Sequence, residues 1–361
     1  MILHNGTAVR SPSRRDGIAL IIVLLTLFTL GVMAGIFAYA MKVETRLATN
    51  TTSGTELEWM GRSGIEIAKW ILVQQETRVP SERGYLALNQ FWAGGPGPVD
   101  SVDNPFAGMT LEHIPLGDGS ISIVITDQER WVNINAVYRN PLMLDQALSM
   151  AGADATDASL IGAALVDWID GNEVPQATGG AESDFYLERQ PPYEAKNGAI
   201  DDVAELRLVR GISREMFYGP EWRPTTLGDD VPQTGASGSR FTRESGNGGA
   251  GLSQIFCATS TGRVNINTAP FAVLRLILNG DESRAREAIR IRDELPAHDV
   301  GDMARLLGGA PAAGSGIQLS TQSYTFSVRV TAQLGGARES FVGLISRSGA
   351  RDYQVLSFRR E

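Results

Sequence analysis

The segment RRDGIALIIVLLTLFTLGVMAGIFAYAM, residues 14–41, decides how the rest of the chain is read. From Ile18 to Met41 it carries no charged side chain. At about 1.5 Å per residue, a helix of that length crosses a hydrocarbon layer of ~30 Å. Arg10, Arg14 and Arg15 lie before it, which keeps the first residues cytoplasmic and sends the remainder outside. Three readings compete for this segment. Ala38-Tyr39-Ala40 has the small-x-small form of a signal-peptide cleavage site. An uncleaved signal anchor is the second reading. In the third, Arg14-Arg15-Asp16-Gly17 followed by Ile18-Ala19-Leu20 is a leader junction: basic residues, a small residue for a protease at the cytoplasmic membrane face, then an apolar helix that is retained.

Beyond Lys42 no proline occurs until Pro80, and Leu57, Met60, Gly64, Ile67, Ala68 and Ile71 recur at helical spacing. One helix is therefore expected to run from the apolar segment into the globular part, whereas a signal peptide normally leads into a new domain. The stretch AGGPGPVDSVDNP, residues 93–105, reads as loop. Ser120–Thr126 (SISIVIT) alternates and is rich in β-branched residues, the mark of a strand. Tyr324–Gln333, Ser340–Arg347 and Tyr353–Arg359 have the same character, with Gly335-Gly336 as a hairpin turn. Three late strands need the early one to complete a stable sheet, so residues 136–319 read as an insertion. Helical spacing recurs there in Leu160–Ile169, Val203–Val209, Ala272–Leu278 and Ala285–Leu295. Two Gly-rich runs, 225–251 and 308–316, interrupt it as loops.

The chain has 361 residues, 43% of them hydrophobic, enough for a sizeable core and for two units rather than one. A formal charge of −9 argues against nucleic acid as a partner. Cys257 is the sole cysteine, so no internal disulfide exists, and it reads as a small buried apolar residue. His4, His113 and His298 are scattered, and no HExxH, phosphate loop or nucleophile elbow occurs. An enzyme is not expected. Trp59, Trp70 and Trp131 read as core residues, and Asp201, Asp202 and Arg207 as a helix start with a solvated face.

Val132-Asn133-Ile134-Asn135-Ala136 and Val264-Asn265-Ile266-Asn267-Thr268-Ala269-Pro270 form a weak repeat. Asn and Thr suit helix starts and Pro270 suits a first turn. The second phrase also resembles the opening of helix-hairpin-helix modules, which makes a membrane-anchored, competence-type DNA-binding protein the rival reading. Such a module needs a Gly-rich hairpin against phosphate. Here Leu278-Asn279-Gly280-Asp281-Glu282 brings two carboxylates to that place, offset locally by Arg284, Arg286, Arg290 and Arg292.

Between Asp167 and Asn197 lies an irregular, Gly- and Pro-containing loop with Asp170, Asn172, Glu173, Glu182 and Asp184. Calcium takes six to eight oxygen ligands and tolerates irregular loops; the alternation of an EF-hand is absent. On the residues alone this is a solvated acidic loop or a calcium site, with Asp167 able to face a neighbouring helix instead.

Asp167-Trp168-Ile169-Asp170, Gly180-Ala181-Glu182, Pro191-Pro192-Tyr193, Glu205-Leu206-Arg207-Leu208-Val209 and Val264–Pro270 occur in this order behind the leader-like junction. With that ordered set the whole chain resembles the K-type minor pseudopilins of the type II secretion system. The resemblance implies an α+β fold: a long N-terminal transmembrane helix and a pilin-like antiparallel sheet domain, interrupted by a large, mostly helical inserted domain. The expected division is a prepilin leader over 1–17, the helix over 18–79 (transmembrane over 18–41), the sheet domain over 80–135 and 320–361, and the insertion over 136–319. Prepilin peptidase is then expected to cut between Gly17 and Ile18. Pilins usually carry glutamate at the fifth place after the cut, here Ile22, and its absence marks the K type. The resemblance further implies bound calcium in the helical domain and a single-pass place in the bacterial inner membrane with the C-terminal domain in the periplasm. It also implies I-type and J-type minor pseudopilins as partners, no nucleic acid, and a role at the pseudopilus tip, starting assembly and supporting export across the outer membrane.

Overall fold

With no proline to interrupt it, the segment Arg14–Arg78 forms one helix, α1, in the computed structural model. The structure describes residues 14–96, 104–220, 249–309, 316–349 and 352–361. The chain falls into two compact units, Met1–Trp59 and Met60–Glu361. In the first, the 28 residues Ile18–Thr45 have a mean hydropathy of 2.7 and bury nothing, so this part of α1 is long and apolar enough to cross a membrane. Thr26 and Thr29 donate their hydroxyls to the carbonyls of Val23 and Thr26, at 2.9 Å each, which keeps both satisfied within the helix.

The second unit carries the strands. They are β1 (Ile114–Leu116), β2 (Gly119–Asp127), β3 (Val132–Asn133) and β4 (Phe256–Cys257), followed by β5 (Arg263–Asn265) and β6 (Gln318–Ser320). Then come β7 (Thr325–Leu334), β8 (Ala337–Gly349) and β9 (Asp352–Arg360). The main sheet is antiparallel in the order β1-β2-β7-β8-β9. Gly335, at φ 58°, turns the hairpin between β7 and β8 in two residues. Ile121, Ile123 and Ile125 of β2 pair with Ala332, Val330 and Val328 of β7, and all six are buried. Met60, Ile65, Ala68, Ile71 and Leu72 of α1 are buried as well. Helix and sheet approach closely at two glycines of α1: a Cβ on Gly64 would stand 2.5 Å from Val330 Cγ1, and one on Gly61 2.5 Å from Phe341 Cδ2.

Between β2 and β7 the chain builds a mostly helical region. Its helices are α2 (Ile134–Val137), α3 (Pro141–Met150), α4 (Ala155–Ile169), α5 (Ser183–Leu187) and α6 (Arg214–Tyr218). Further along come α7 (Leu252–Ile255), α8 (Phe271–Ile277), α9 (Glu282–Glu294) and α10 (Val300–Leu306). Side-chain caps start several of them: Asn133 for α2, Asn140 for α3, Asp154 for α4, Asp281 for α9 and Asp299 for α10. One hydrophobic cluster, from Val132 to Leu307, fills this region and takes no residue from the main sheet. Parallel pairs β3–β4 and β5–β6 clasp its two ends.

A buried polar junction ties the insertion to the sheet. Asp127, at the end of β2, accepts hydrogen bonds from Thr268 (2.5 Å), Ser323 (2.6 Å) and Asn265 Nδ2 (3.3 Å) through Oδ2, and from the Glu129 amide (2.8 Å) through Oδ1. Glu129 Oε2 accepts from the amides of Tyr324 (3.2 Å) and Thr325 (2.9 Å), while Oε1 takes the Thr261 amide (3.2 Å). Burial, and next the charge of Glu129, pushes the Asp127 carboxyl up to about 7.

Three expectations are corrected here. The Val264–Pro270 phrase does not start a helix with Asn and Thr caps. Asn265 closes a turn on the Asn267 amide and Thr268 serves Asp127, so this copy is drawn into the junction. Val203–Leu208 is a 3-10 helix, a short turn fixed by the capping box of Asp202 and Glu205. Trp59 and Trp70 are 66% and 42% exposed rather than core; Trp131 is partly buried.

Candidate functional site

Helix α4 begins on Asp154, whose carboxylate accepts from the amides of Thr156 and Asp157 at 2.9 and 2.8 Å. It ends with Asp167 in its last turn and Asp170 as its C-cap. Asp167 is wholly buried, and both its oxygens accept from the Gln176 amide at 3.2 Å. The loop returns at Gly180, where a Cβ would lie 1.9 Å from Asp167 Oδ2 and 2.5 Å from the Gln176 nitrogen. Only glycine fits against that carboxylate. Arg210 holds the same return from outside, donating Nη1 to the carbonyls of Gly179 and Gly180 at 3.3 Å each.

Glu182 follows at the start of α5, yet its side chain caps nothing. It is 6% exposed, and neither carboxylate oxygen has a hydrogen-bond partner. Burial first, then the fields of Asp167, Glu173 and Asp170, push its carboxyl up to about 7. Glu173 is organised: Oε1 accepts from Ser183 Oγ (3.0 Å) and Asn197 Nδ2 (2.6 Å), and Oε2 from the Ser183 amide (3.3 Å). Asn197, held at φ 47°, has its own Oδ1 buried without a partner.

Among the described residues, no three His, Cys, Asp or Glu side chains already close into a chelating group. What the loop does assemble is a set of hard oxygens, several of them without a hydrogen-bond partner. Two Glu182 oxygens and Asn197 Oδ1 are orphaned, and Asp167, Asp170 and Glu173 add negative field at Glu182. A buried carboxylate without a partner is costly, and oxygen donors of this kind suit calcium. The donor set fits that ion.

The structure places the other sequence candidates as follows. Asn172 donates Nδ2 to Asp170 Oδ1 (2.6 Å) and accepts the Val174 amide (2.9 Å), shaping the turn between Asp170 and Glu173. Asp184 is exposed in the first turn of α5. Ile18 and Ile22 lie on α1, 59% and 56% exposed; Gly17 is helical in backbone, and residues 1–13 lie outside those described. Most of the 225–251 run also lies outside. Asn197 and Arg210 were missed by sequence reasoning, because both act on the loop from later segments.

The turn compared above with a DNA hairpin has Asn279 and Gly280 at φ 56° and 86°, and Asp281 capping α9. The nearby arginines are turned inward or onto acids. Arg284 donates to the Leu307 carbonyl (2.6 Å), Arg286 pairs with Glu282 (3.3 Å), and Arg290 pairs with Glu287 (2.6 Å) and Glu294 (3.2 Å). Arg292 donates to the carbonyls of Ile266 and Ala269. No basic face is presented to phosphate there.

An apolar N-terminal helix and an antiparallel sheet interrupted by a helical insertion with an acidic loop make a pilin-like α+β architecture. Residues 132–218 match the family described as Type II secretion system (T2SS), protein K. The chain is 26% identical over 215 residues to type II secretion system protein K of Klebsiella pneumoniae, covering 56% of this chain and 60% of that one. It is 24% identical over 369 aligned positions to protein K of Aeromonas hydrophila, covering 97% and 98%. It shares its fold with a chain of the GspK-GspI-GspJ complex of the enterotoxigenic Escherichia coli type 2 secretion system, at TM-score 0.58 and 20% identity over 87% of this chain and 99% of that one. The chain is thus similar to type II secretion system protein K, over residues 132–218 by the family match and over nearly its whole length by the Aeromonas hydrophila relative.

Proposed function

We propose that this chain is a minor pseudopilin: a structural subunit, not a catalyst, that starts the periplasmic pseudopilus from its tip and so supports protein export. The observation that carries this reading is the pairing of β2 with β7 around the inserted helical region, the region in which the family match falls. Prepilin peptidase cuts between Gly17 and Ile18, and the apolar part of α1 anchors the product in the inner membrane with residues beyond it in the periplasm. Ile22 supports the tip position. An unpaired carboxylate there, with no subunit above to supply an amine, would cost on the order of a few kcal/mol in an apolar setting. I-type and J-type pseudopilins are the partners, by analogy with the complex to which this fold is similar. Calcium is the structural ion of the insertion: Glu182, Asn197 and Glu173 would hold it with Asp167 and Asp170 nearby, and its charge would keep Glu182 ionised.

Deleting the chain and restoring it in its own host tests the role. Secretion is expected to stop and return, and the mature protein to begin at Ile18 by intact mass. Labelled ectodomain should sit once per isolated filament, at one end; label spaced along the shaft contradicts the tip assignment.

A further inference from the structure

A cavity of about 640 Å³ opens between the sheet face not covered by α1 and the insertion. Its sheet side includes Val124, Ser327 and Arg359, and its insertion side Trp131, Tyr218 and Phe271. Among the described residues, four arginines line it, Arg130, Arg275, Arg329 and Arg359, and no acidic residue does. That is an unusual concentration of positive charge in a chain of net charge −9.

Arg130 stands apart from the others. Arg329 pairs with Glu361 at 2.9 Å, Arg275 with Glu282 at 3.2 Å, and Arg359 lies 4.0 Å from Asp202. Arg130 is only 7% exposed, its Nε has no hydrogen-bond partner, and its guanidinium lies 5.2 Å from the Trp131 ring centroid. Arg275 Nε is likewise buried and unpartnered. Stacking on an indole face attracts a cation but gives Nε–H no acceptor. Burial holds the Arg130 pKa below its ordinary value; the Asp127 charge opposes this and Arg292 adds to it. A buried Nε–H without an acceptor lowers stability, and a planar fork of donors matches a carboxylate.

We propose that this cleft binds the carboxylate-bearing, apolar C-terminal segment of another polypeptide, with Arg130 receiving the carboxylate. The volume lies within the range of specific ligand pockets and holds two or three side chains. Trp131, Tyr218 and Phe271 give the segment an apolar bed. Gln128, Ser253, Gln254 and Ser327 stand at the walls to meet its main-chain groups. The cleft therefore favours a peptide acid over a bare anion, whose hydration an aromatic wall cannot replace. The inference goes beyond the assembly role and does not depend on it.

The test uses the full chain in detergent micelles and a fluorescein-labelled pentapeptide, Gly-Ser-Gly-Leu-Phe with a free carboxylate, beside its C-terminally amidated twin. Anisotropy should show the acid binding at least tenfold more tightly than the amide. Arg130→Gln should erase that difference. Ser327→Trp, which fills the cleft from the sheet side, should abolish binding of both peptides and serves if Arg130→Gln does not fold. Equal affinity for acid and amide, no binding of either, or unchanged binding by a folded variant overturns the proposal. So does inorganic phosphate competing as strongly as the peptide, since the site would then be one for any anion.

Discussion

The main sheet and the insertion solve burial differently. The sheet closes one face beneath the second half of α1 mainly with aliphatic side chains and close glycine contacts, its polar groups there being buried Gln75 and the partly buried Glu76–Arg347 ion pair near the end of the helix. The insertion has a core of its own, yet buries the Glu182 carboxylate, Asn197 Oδ1 and, at its entrance, Arg130 Nε without hydrogen-bond partners. In this second region, the proposed cation in the loop and the proposed acid in the cleft would each meet a buried polar group left without a partner.

The largest expected effect breaks the sheet region alone. Gly64→Val sets methyl carbons against Val330, where even a Cβ has no room. A loss of about 3 kcal/mol or more is expected, with overpacking and backbone displacement as the cause. Thermal melts followed by circular dichroism measure it. If calcium still raises the melting of the insertion in this variant, the two regions are separable; a common loss would show them to be one cooperative body.

The next effect lies at the junction between them. Asp127 has a folded-state pKa near 7, above its unfolded value. Its contribution is therefore fully favourable below about pH 4 and is lost as pH rises through 7. Stability should fall over that interval by up to a few kcal/mol, read with calcium saturating so that Glu182 is held as its carboxylate. Asp127→Asn should flatten the slope even if it lowers stability at every pH. An unchanged slope would mean that Asp127 is ionised throughout.

A smaller effect tests the loop. Calcium at about 100 times its dissociation constant should stabilise the ectodomain by about 2.7 kcal/mol. Glu182→Gln should remove most of that gain while raising the calcium-free melting temperature, because the unpaired charge is gone. Equal melting with calcium and with chelator in the unaltered protein would leave Glu182 without the ion proposed for it.

How far the sequence discloses these regions follows from the range of the contacts. Alternation in Ser120–Thr126 and in the last three strands is local, so β2, β7, β8 and β9 were legible, as was α1. Asp170, Glu173 and Glu182 were legible as an acidic loop. That Glu182 meets Asp167 depends on the return at Gly180, and Asn197 reaches Glu173 from 24 residues away. The Val264–Pro270 phrase misled because Thr268 takes its partner 141 residues back, at Asp127. Local propensity favours a cap there, and a buried carboxylate outcompetes it. Arg130 gave no signal at all: a single arginine after a strand reads as surface until burial and the missing acceptor are seen together.

The smallest effect concerns the far end of α4. Asp154→Ala removes the acceptor for the Thr156 and Asp157 amides, a loss of about 1 kcal/mol for such a cap. Asp167 and Asp170 stand at the other end of this 15-residue helix, about 20 Å away at the usual rise. The cap and the loop share no partner, so their effects should add. The variant should melt lower by the same amount with and without calcium, its calcium-dependent increment intact. A reduced increment would mean that fraying at Asp154 is felt at Asp167. The loop would then depend on the whole of α4 being formed, and the ion would be reporting on the folding of the insertion rather than completing a site already in place.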